Sequence, residues 1–240
     1  MKLTALSIIV VAVCLSSCHY IGGKRINGNG VSSSQERSLG SFDGIVVRGG
    51  MDIIVSQSPT SSFKIEADQN LLEYIETRNN GGTIEIFTRE GYDLDPKSGI
   101  KVYAAAPNFT ELEVSGSGKI NSTGKITSAS ELNTGVSGSG DILLEVDAPR
   151  IKTHISGSGS SSIKGTTKDF SANITGSGDI RCYDLLTENT EIDISGSGNA
   201  EVYASKSLDV DIAGAGDVRY KGNPSVKQNI AGSGGVRKIE

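Results

Sequence analysis

The sequence predicts an all-β chain, a right-handed parallel β-helix (solenoid) of short coils with a less regular β-rich N-terminal portion. Three observations carry this reading. A Gly-x-Gly turn recurs seven times at a nearly constant step. Apolar and polar residues alternate on both sides of each turn. The composition is rich in Gly (31 of 240 residues) and poor in aromatics (5%, with no Trp), which suits repetitive β-structure better than a helical bundle.

The turns fall at Gly116/Gly118, Gly138/Gly140, Gly157/Gly159, Gly176/Gly178, Gly196/Gly198, Gly214/Gly216 and Gly232/Gly234. Subtracting successive first glycines gives steps of 22, 19, 19, 20, 18 and 18 residues. Arg48-Gly49-Gly50-Met51 reads as a degenerate eighth copy. Before the turns, Phe170, Ala172 and Ile174, or Leu208, Val210 and Ile212, alternate with polar residues. After them, Ile142, Leu144 and Val146, or Ile180 and Cys182, do the same. Period two marks half-buried strands. Glycine pairs suit a chain that must bend at positive φ, or where backbones approach closely.

Two architectures accommodate this pattern. A hairpin array gives equivalent columns no reason to persist. In a coil stack, equivalent residues lie about 4.8 Å apart and like packs on like, which favours the strict repeat. The coil stack is therefore preferred, with the right hand expected of parallel crossovers. A solenoid's end exposes a strand edge, and Arg237, Lys238 and Glu240 are placed to blunt it.

In chain order, residues 1–17 read as a lipoprotein signal peptide. Lys2 supplies the positive start, and Leu3–Val13 form an apolar run too short to span a bilayer. Leu15-Ser16-Ser17-Cys18 resembles a lipobox, with Cys18 as the acylated residue. Cleavage would leave 240 − 17 = 223 residues with a formal charge of 22 − 28 = −6. Residues 18–37, rich in Gly, Asn and Ser, read as a flexible tether of roughly 25 Å. The folded domain is expected at 38–240, with an irregular β portion at 38–110 and the regular repeats at 111–240. Within the irregular portion, Ile45/Val47, Ile53/Val55, Phe63/Ile65, Ile84/Ile86 and Val102 mark strands. Gly81-Gly82 marks a turn, Leu71–Thr77 a single helical turn, and Gly91–Gly99 a surface loop. This portion reads as part of the same solenoid, with a separate small β-domain as the alternative.

Catalytic chemistry is poorly supplied. The chain holds two histidines, His19 beside the anchor and His154 on an outward phase. No Gly-x-Ser-x-Gly elbow, dinucleotide fingerprint or phosphate loop occurs. Cys182 falls on the inward phase, as a small core residue. Asp141, Asp179, Asn199 and Asp217 share one place after the turn; Asp193, Asp211 and Asn229 share one before it. Carboxylates stacked at rung spacing could draw a hard cation such as Ca²⁺, but the nonapeptide calcium-roll spacing is absent, and turn and surface preference accounts for these residues. No metal, cofactor or catalytic residue is therefore assigned. With 23 basic and 28 acidic residues, no basic stripe marks a nucleic-acid partner.

The layout resembles the bacterial family named "putative auto-transporter adhesin, head GIN domain". The marks are the lipoprotein signal, the opening Phe42-Asp43-Gly44-Ile45-Val46-Val47-Arg48-Gly49, and serial units such as Ser137–Ile142 and Thr175–Ile180. The resemblance covers residues 39–240 and implies a β-helical exported domain, with no catalytic residues to carry over. The expected function is a non-catalytic, lipid-anchored envelope protein, an adhesin or binding module working through the outer face of the β-helix. Its expected partners are the membrane, through lipid on Cys18, and an unknown protein or glycan; the outer membrane is the expected location. A polysaccharide-acting β-helix enzyme and a purely structural envelope protein are the alternatives.

Overall fold

The computed structural model describes residues 23–240. The lipobox and Cys18 lie outside the described residues. Nine strands form the N-terminal portion: β1 (Lys24–Asn27), β2 (Ser32–Glu36), β3 (Gly44–Gly49), β4 (Asp52–Gln57), β5 (Ser62–Asp68), β6 (Ile75–Asn80), β7 (Thr83–Thr88), β8 (Tyr92–Asp95) and β9 (Lys101–Ala106). Twelve follow: β10 (Glu111–Gly116), β11 (Lys119–Thr127), β12 (Leu132–Gly138), β13 (Asp141–Gly157), β14 (Ser160–Gly176), β15 (Asp179–Cys182), β16 (Leu185–Gly196), β17 (Asn199–Tyr203), β18 (Ser207–Gly214), β19 (Asp217–Lys221), β20 (Ser225–Gly232) and β21 (Gly235–Lys238).

From β10 onward every strand pairs in parallel with its equivalent one coil away, the pattern of a β-solenoid. The strands before each Gly turn stack in the order β6, β7, β3, β10, β12, the second half of β13, then β14, β16, β18 and β20. Those after it stack as β2, β5, β9, β4, β11, the first half of β13, then β14, β15, β17, β19 and β21.

The N-terminal portion belongs to this solenoid, but its rungs are not laid down in order. The β3–β4 rung sits between β10–β11 and the later β7–β9 rung. The antiparallel strands β6, β5 and β2 then close that end. An antiparallel strand satisfies the edge of a parallel rung without starting another, so among the described residues this end has no open parallel edge.

Two local readings are corrected. Residues 24–36, read as tether, contain β1 and β2, and residues 92–95, read as loop, form β8. β1 pairs in parallel with β8, and β2 pairs antiparallel with β5. Most side chains of β1 and β2 are exposed, so neither strand carries the period-two signal. Main-chain pairing holds them, and composition does not report it. The helical turn expected at 71–77 is a single 3₁₀ turn, Leu72–Tyr74, and β6 begins directly after it.

The glycine corners explain the strict repeat. Gly49, Gly116, Gly138, Gly157, Gly176, Gly196, Gly214 and Gly232 all hold positive φ, from +111° to +145°. A Cβ on Gly138 would lie 2.6 Å from the Gly116 carbonyl oxygen, and one on Gly176 2.5 Å from that of Gly157. The second glycine of each pair is different. Gly118, Gly140, Gly159, Gly178, Gly198, Gly216 and Gly234 do not take positive φ, so the bend lies at the first glycine and close approach alone requires the second. A Cβ on Gly140 would meet the Gly118 oxygen at 2.7 Å, and one on Gly178 the Gly159 oxygen at 2.7 Å. Gly198 repeats the contact over the Gly178 oxygen at 2.5 Å, and Gly216 and Gly234 pass closer still over the oxygens of Gly198 and Gly216. The degenerate eighth copy is in register, with Gly49 opposite Gly116. Met51 fills its second position, buried, where the Gly99–Ile100 backbone beneath is not a glycine corner.

The approach is close because the corners bond to one another. The amides of Ser139, Ser158, Ser177 and Ser197 each donate at 2.8 Å to the first-glycine carbonyl of the rung before. Side chains then stack inside: Ile120, Ile142, Ser161, Ile180, Ala200 and Val218 form one column. Ser161 interrupts it. Its hydroxyl is buried without a hydrogen-bond partner, at a cost of about 1–3 kcal/mol. The last rung is different: Gln228 and Lys238 stand in line with the apolar Val210 and Tyr220, and Val226 is 38% exposed. Polar residues in inward columns mark the C-terminal end of the stack.

Two stability measurements follow from these corners. Gly157→Ala is expected to lower stability by about 2 kcal/mol or more, because it meets both the φ restriction and the carbonyl contact. Gly124→Ala, at φ +85° with open space around it, should cost only about 1 kcal/mol; equal losses in urea denaturation would contradict the close-approach account. Ser161→Ala should raise stability by about 1 kcal/mol, and a loss would mean that the hydroxyl has a partner.

Candidate functional site

Outward residues of successive rungs form ladders, and their position within the repeat is constant. Seven residues past the first glycines from Gly138 to Gly214 stand Glu145, Lys164, Tyr183, Tyr203 and Lys221. Five residues past those from Gly138 to Gly232 stand Leu143, Ser162, Arg181, Glu201, Arg219 and Arg237. Glu145 faces Lys164 and Tyr203 faces Lys221 across adjacent rungs. Members of these two ladders line a groove of about 550 Å³ on the outer face of β13–β17. Leu143, 46% exposed, forms an apolar wall. Tyr183 forms a second, with the Lys221 ammonium 5.1 Å from its ring centre. Burial first, and the Glu201 carboxylate second, push the Tyr183 phenol above its ordinary pKa. Arg181, Lys164 and Glu201 make the floor polar.

The charges around this groove are largely paired. Lys164 meets Glu145 at 3.1 Å, Arg181 meets Asp179 at 2.8 Å, and Lys119 meets Asp141 at 3.1 Å. Such exposed pairs contribute about 0–1 kcal/mol each. Their effect is to neutralise the face, leaving mixed polar and apolar contact rather than a strong field.

The carboxylate column after the turn does not stack acid on acid. Its order is Lys119, Asp141, Ser160, Asp179, Asn199 and Asp217. Ser160 donates to Asp141 at 2.7 Å, and Asn199 to Asp179 at 3.2 Å. The Ser160 hydroxyl, then Lys119, hold the Asp141 carboxyl below its ordinary range against the effect of burial. Before the turn, Asp193 and Asp211 are direct neighbours, as are Glu191 and Asp209. Lys227 answers Asp209 at 2.9 Å, and Asn229 answers Asp211 at 2.8 Å. Burial first, then Glu191, Asp211 and Asp209, raise the pKa of Asp193. Among the described residues, no group of three or more His, Cys, Asp or Glu side chains could hold a metal ion.

His154 is exposed on the outer face of β13 and makes no side-chain hydrogen bond among the described residues. Cys182 is buried, and burial pushes its thiol up to about 12, which leaves it protonated and inert. The fourteen turn glycines, from Gly116 and Gly118 to Gly198, Gly216 and Gly234 on the last rungs, form the corners and line none of the surface grooves described. Cys18 lies outside the described residues.

Over residues 41–224 the sequence matches the family described as "putative auto-transporter adhesin, head GIN domain". The chain belongs to this family. Proteins of known structure share the architecture. A putative lipid binding protein from Parabacteroides distasonis is 29% identical, with a TM-score of 0.76 over 90% of this chain and 100% of that one. A putative adhesin from the same species is 27% identical, with a TM-score of 0.72 over 90% and 100%. A putative adhesin from Bacteroides fragilis, 18% identical, superposes with a TM-score of 0.83 over 89% and 100%. No functionally curated protein matches the sequence. Membership makes this chain an adhesin-like head GIN protein of the cell envelope or surface. Among the described residues, no helix is long and apolar enough to cross a membrane.

The groove was not singled out from the sequence, although its signal is there. Following each outward offset from the turn glycine, rather than the inward columns alone, brings Tyr183 and Tyr203 together between Lys164 and Lys221.

Asp193 sets a pH signature. An acid whose pKa is raised by folding holds its proton more tightly in the folded state. Its contribution favours folding at low pH and is lost as pH rises through the raised value, so charged Asp193 opposes folding at neutral pH. Asp193→Asn should therefore melt higher than the parent at pH 7, with the gap closing towards pH 3. A lower melting temperature for the variant at pH 7 would contradict this.

Proposed function

We propose that the protein is a non-catalytic, lipid-anchored adhesin or binding module, held to the outer membrane through Cys18 and engaging a protein partner through the outer face of β13–β17. The groove beside Leu143 and Tyr183 carries the reading. It combines exposed apolar walls with paired charges, the mixture of an interface rather than of a reaction centre. Family membership agrees, because adhesins are a non-enzymatic kind. Protein is favoured over glycan, since the chain lacks Trp and its groove offers Tyr183 alone as an aromatic platform.

Lipid binding, the activity ascribed to the 29%-identical relative, is less well supported. The interior from Ile45 to Val218 is filled by packed side chains, so an acyl chain would have to lie in the polar-floored groove. The polysaccharide-acting alternative is less well supported, because acids and bases lining the grooves are paired with one another, Glu145 with Lys164 at 3.1 Å and Asp169 with Arg150 at 3.3 Å.

Surface labelling of intact cells tests the proposal. Lys206 and Lys227 are well exposed, at 66% and 79% of their side chains. A membrane-impermeant amine reagent should modify both without lysis, and Cys18→Ala should move the protein from the membrane to the soluble fraction. Labelling only after lysis would overturn surface exposure. Beads coated with the protein should be retained on arrayed extracellular proteins, and Leu143→Asp with Tyr183→Ala should abolish that retention. Retention undiminished by the double variant would exclude the groove.

A further inference from the structure

We infer that the capped N-terminal end of the solenoid, at the β1–β8 corner, faces the phospholipid headgroups of the membrane that holds Cys18. The inference rests on acylation of Cys18, as proposed above. What it adds is an orientation set by the fold.

The observation behind it is the early start of folded structure. β1 begins at Lys24, so five residues, 19–23, separate it from Cys18. Six Cα steps reach at most about 21 Å. Residues 24–27 and 32–36 of the stretch expected as a flexible tether are strands, and β1 is drawn in close to the bilayer. β1 is not a loose arm. It pairs with β8 over four residues, from Lys24–Tyr92 to Asn27–Asp95. The next turn is also fixed: the buried Asp68 carboxylate accepts the Lys97 amide at 2.7 Å and the Ser98 hydroxyl at 3.1 Å. In the chain β8 follows β7 and precedes β9, the two strands of the lowest parallel rung.

The far end is a full stack away. The strands after the turn run eleven deep from β2 to β21, ten spacings of about 4.8 Å, or roughly 48 Å. This exceeds the reach of the linker more than twofold. Tethering at the cap thus keeps one end near the headgroups and leaves the last rung free to project.

The corner has the chemistry of a headgroup contact. Tyr74 and Tyr92 pack with ring centres 4.7 Å apart, and the Arg89 guanidinium lies 5.4 Å from the Tyr74 ring. Lys24 and Arg25 are exposed beside them. Tyrosines, apolar in body and polar at the tip, suit the membrane interface. The corner has no basic excess: Arg25 is paired to Asp95 at 2.9 Å and Arg89 to Glu76 at 3.0 Å, and Glu73, Glu90 and Asp93 lie close by in the chain. The contact therefore needs no anionic lipid and should persist at high salt.

The test uses the full-length acylated protein in phosphatidylcholine vesicles carrying an acceptor dye on the headgroup. A donor dye is attached at Asp93→Cys on β8 or at Lys227→Cys on β20, both exposed positions. Cys182 stays in place, because its buried thiol does not react. Energy transfer should be several-fold more efficient from position 93 than from position 227, in low and high salt alike. Equal transfer from both positions, or stronger transfer from 227, would overturn the orientation. Failure of the protein to float with the vesicles would instead overturn the anchoring on which it rests.

Discussion

Everything in this protein depends on one contact, the passage of a backbone corner over the carbonyl oxygen of the rung beneath it. The Ser158 amide donates to the Gly138 carbonyl at 2.8 Å, and Ser177 repeats the bond to Gly157. At that range no Cβ fits, so both turn positions are glycine. The corner also fixes register. Once Gly157 lies over Gly138, each residue of the coil lies over its equivalent, and apolar columns face inward along the whole stack. Side-chain packing then supplies the bulk of the stability, but it is the corner that decides which side chains meet.

The same constraint shapes the outer surface. A residue at a fixed distance from the turn stacks on its counterparts whether or not the match is favourable. Where it is favourable, ladders such as Asp141–Ser160 and Asp179–Asn199 satisfy each other. Where it is not, acids lie side by side, and burial first, then Glu191 and Asp211, raise the proton affinity of Asp193. The groove beside Tyr183 has the same origin: small Ser162 beside large Leu143 and Arg181 leaves a hollow in an otherwise even face.

The repeat made the regular part of the fold legible. Period-two alternation around a recurring glycine pair specifies strand, coil length and inward columns together, and even the degenerate corner at Gly49 stands in register. The division of labour within each pair was less visible: Gly196 bends the chain while Gly198 only makes room, and two identical letters do not tell these roles apart. Two further things were hidden. β1 and β2 are held by main-chain pairing to β8 and β5, and their exposed Lys24, Arg25, Ser32 and Ser34 resemble linker composition. The placing of β3–β4 between β10–β11 and the later β7–β9 rung is a long-range choice that no local pattern encodes. The groove lay between these extremes. Its residues keep a constant offset from the turn, but outward positions vary in chemistry from Glu145 to Lys164 to Tyr183, so they read as a series only after the coils are stacked.

A stack stiffened by corner bonds holds its mixed polar and apolar outer face in a fixed geometry. The most direct measurement of its foundation is amide hydrogen exchange at the corners. Ser139, Ser158, Ser177 and Ser197 have exposed side chains on surface turns, yet their amides donate across rungs. They should exchange as slowly as the strand amides of Ile155 and Ile174, far more slowly than the amides of the surface turn at Glu90 and Gly91. Exchange at the turn rate would mean that the corners do not hold the rungs together, and the account would fail at its base.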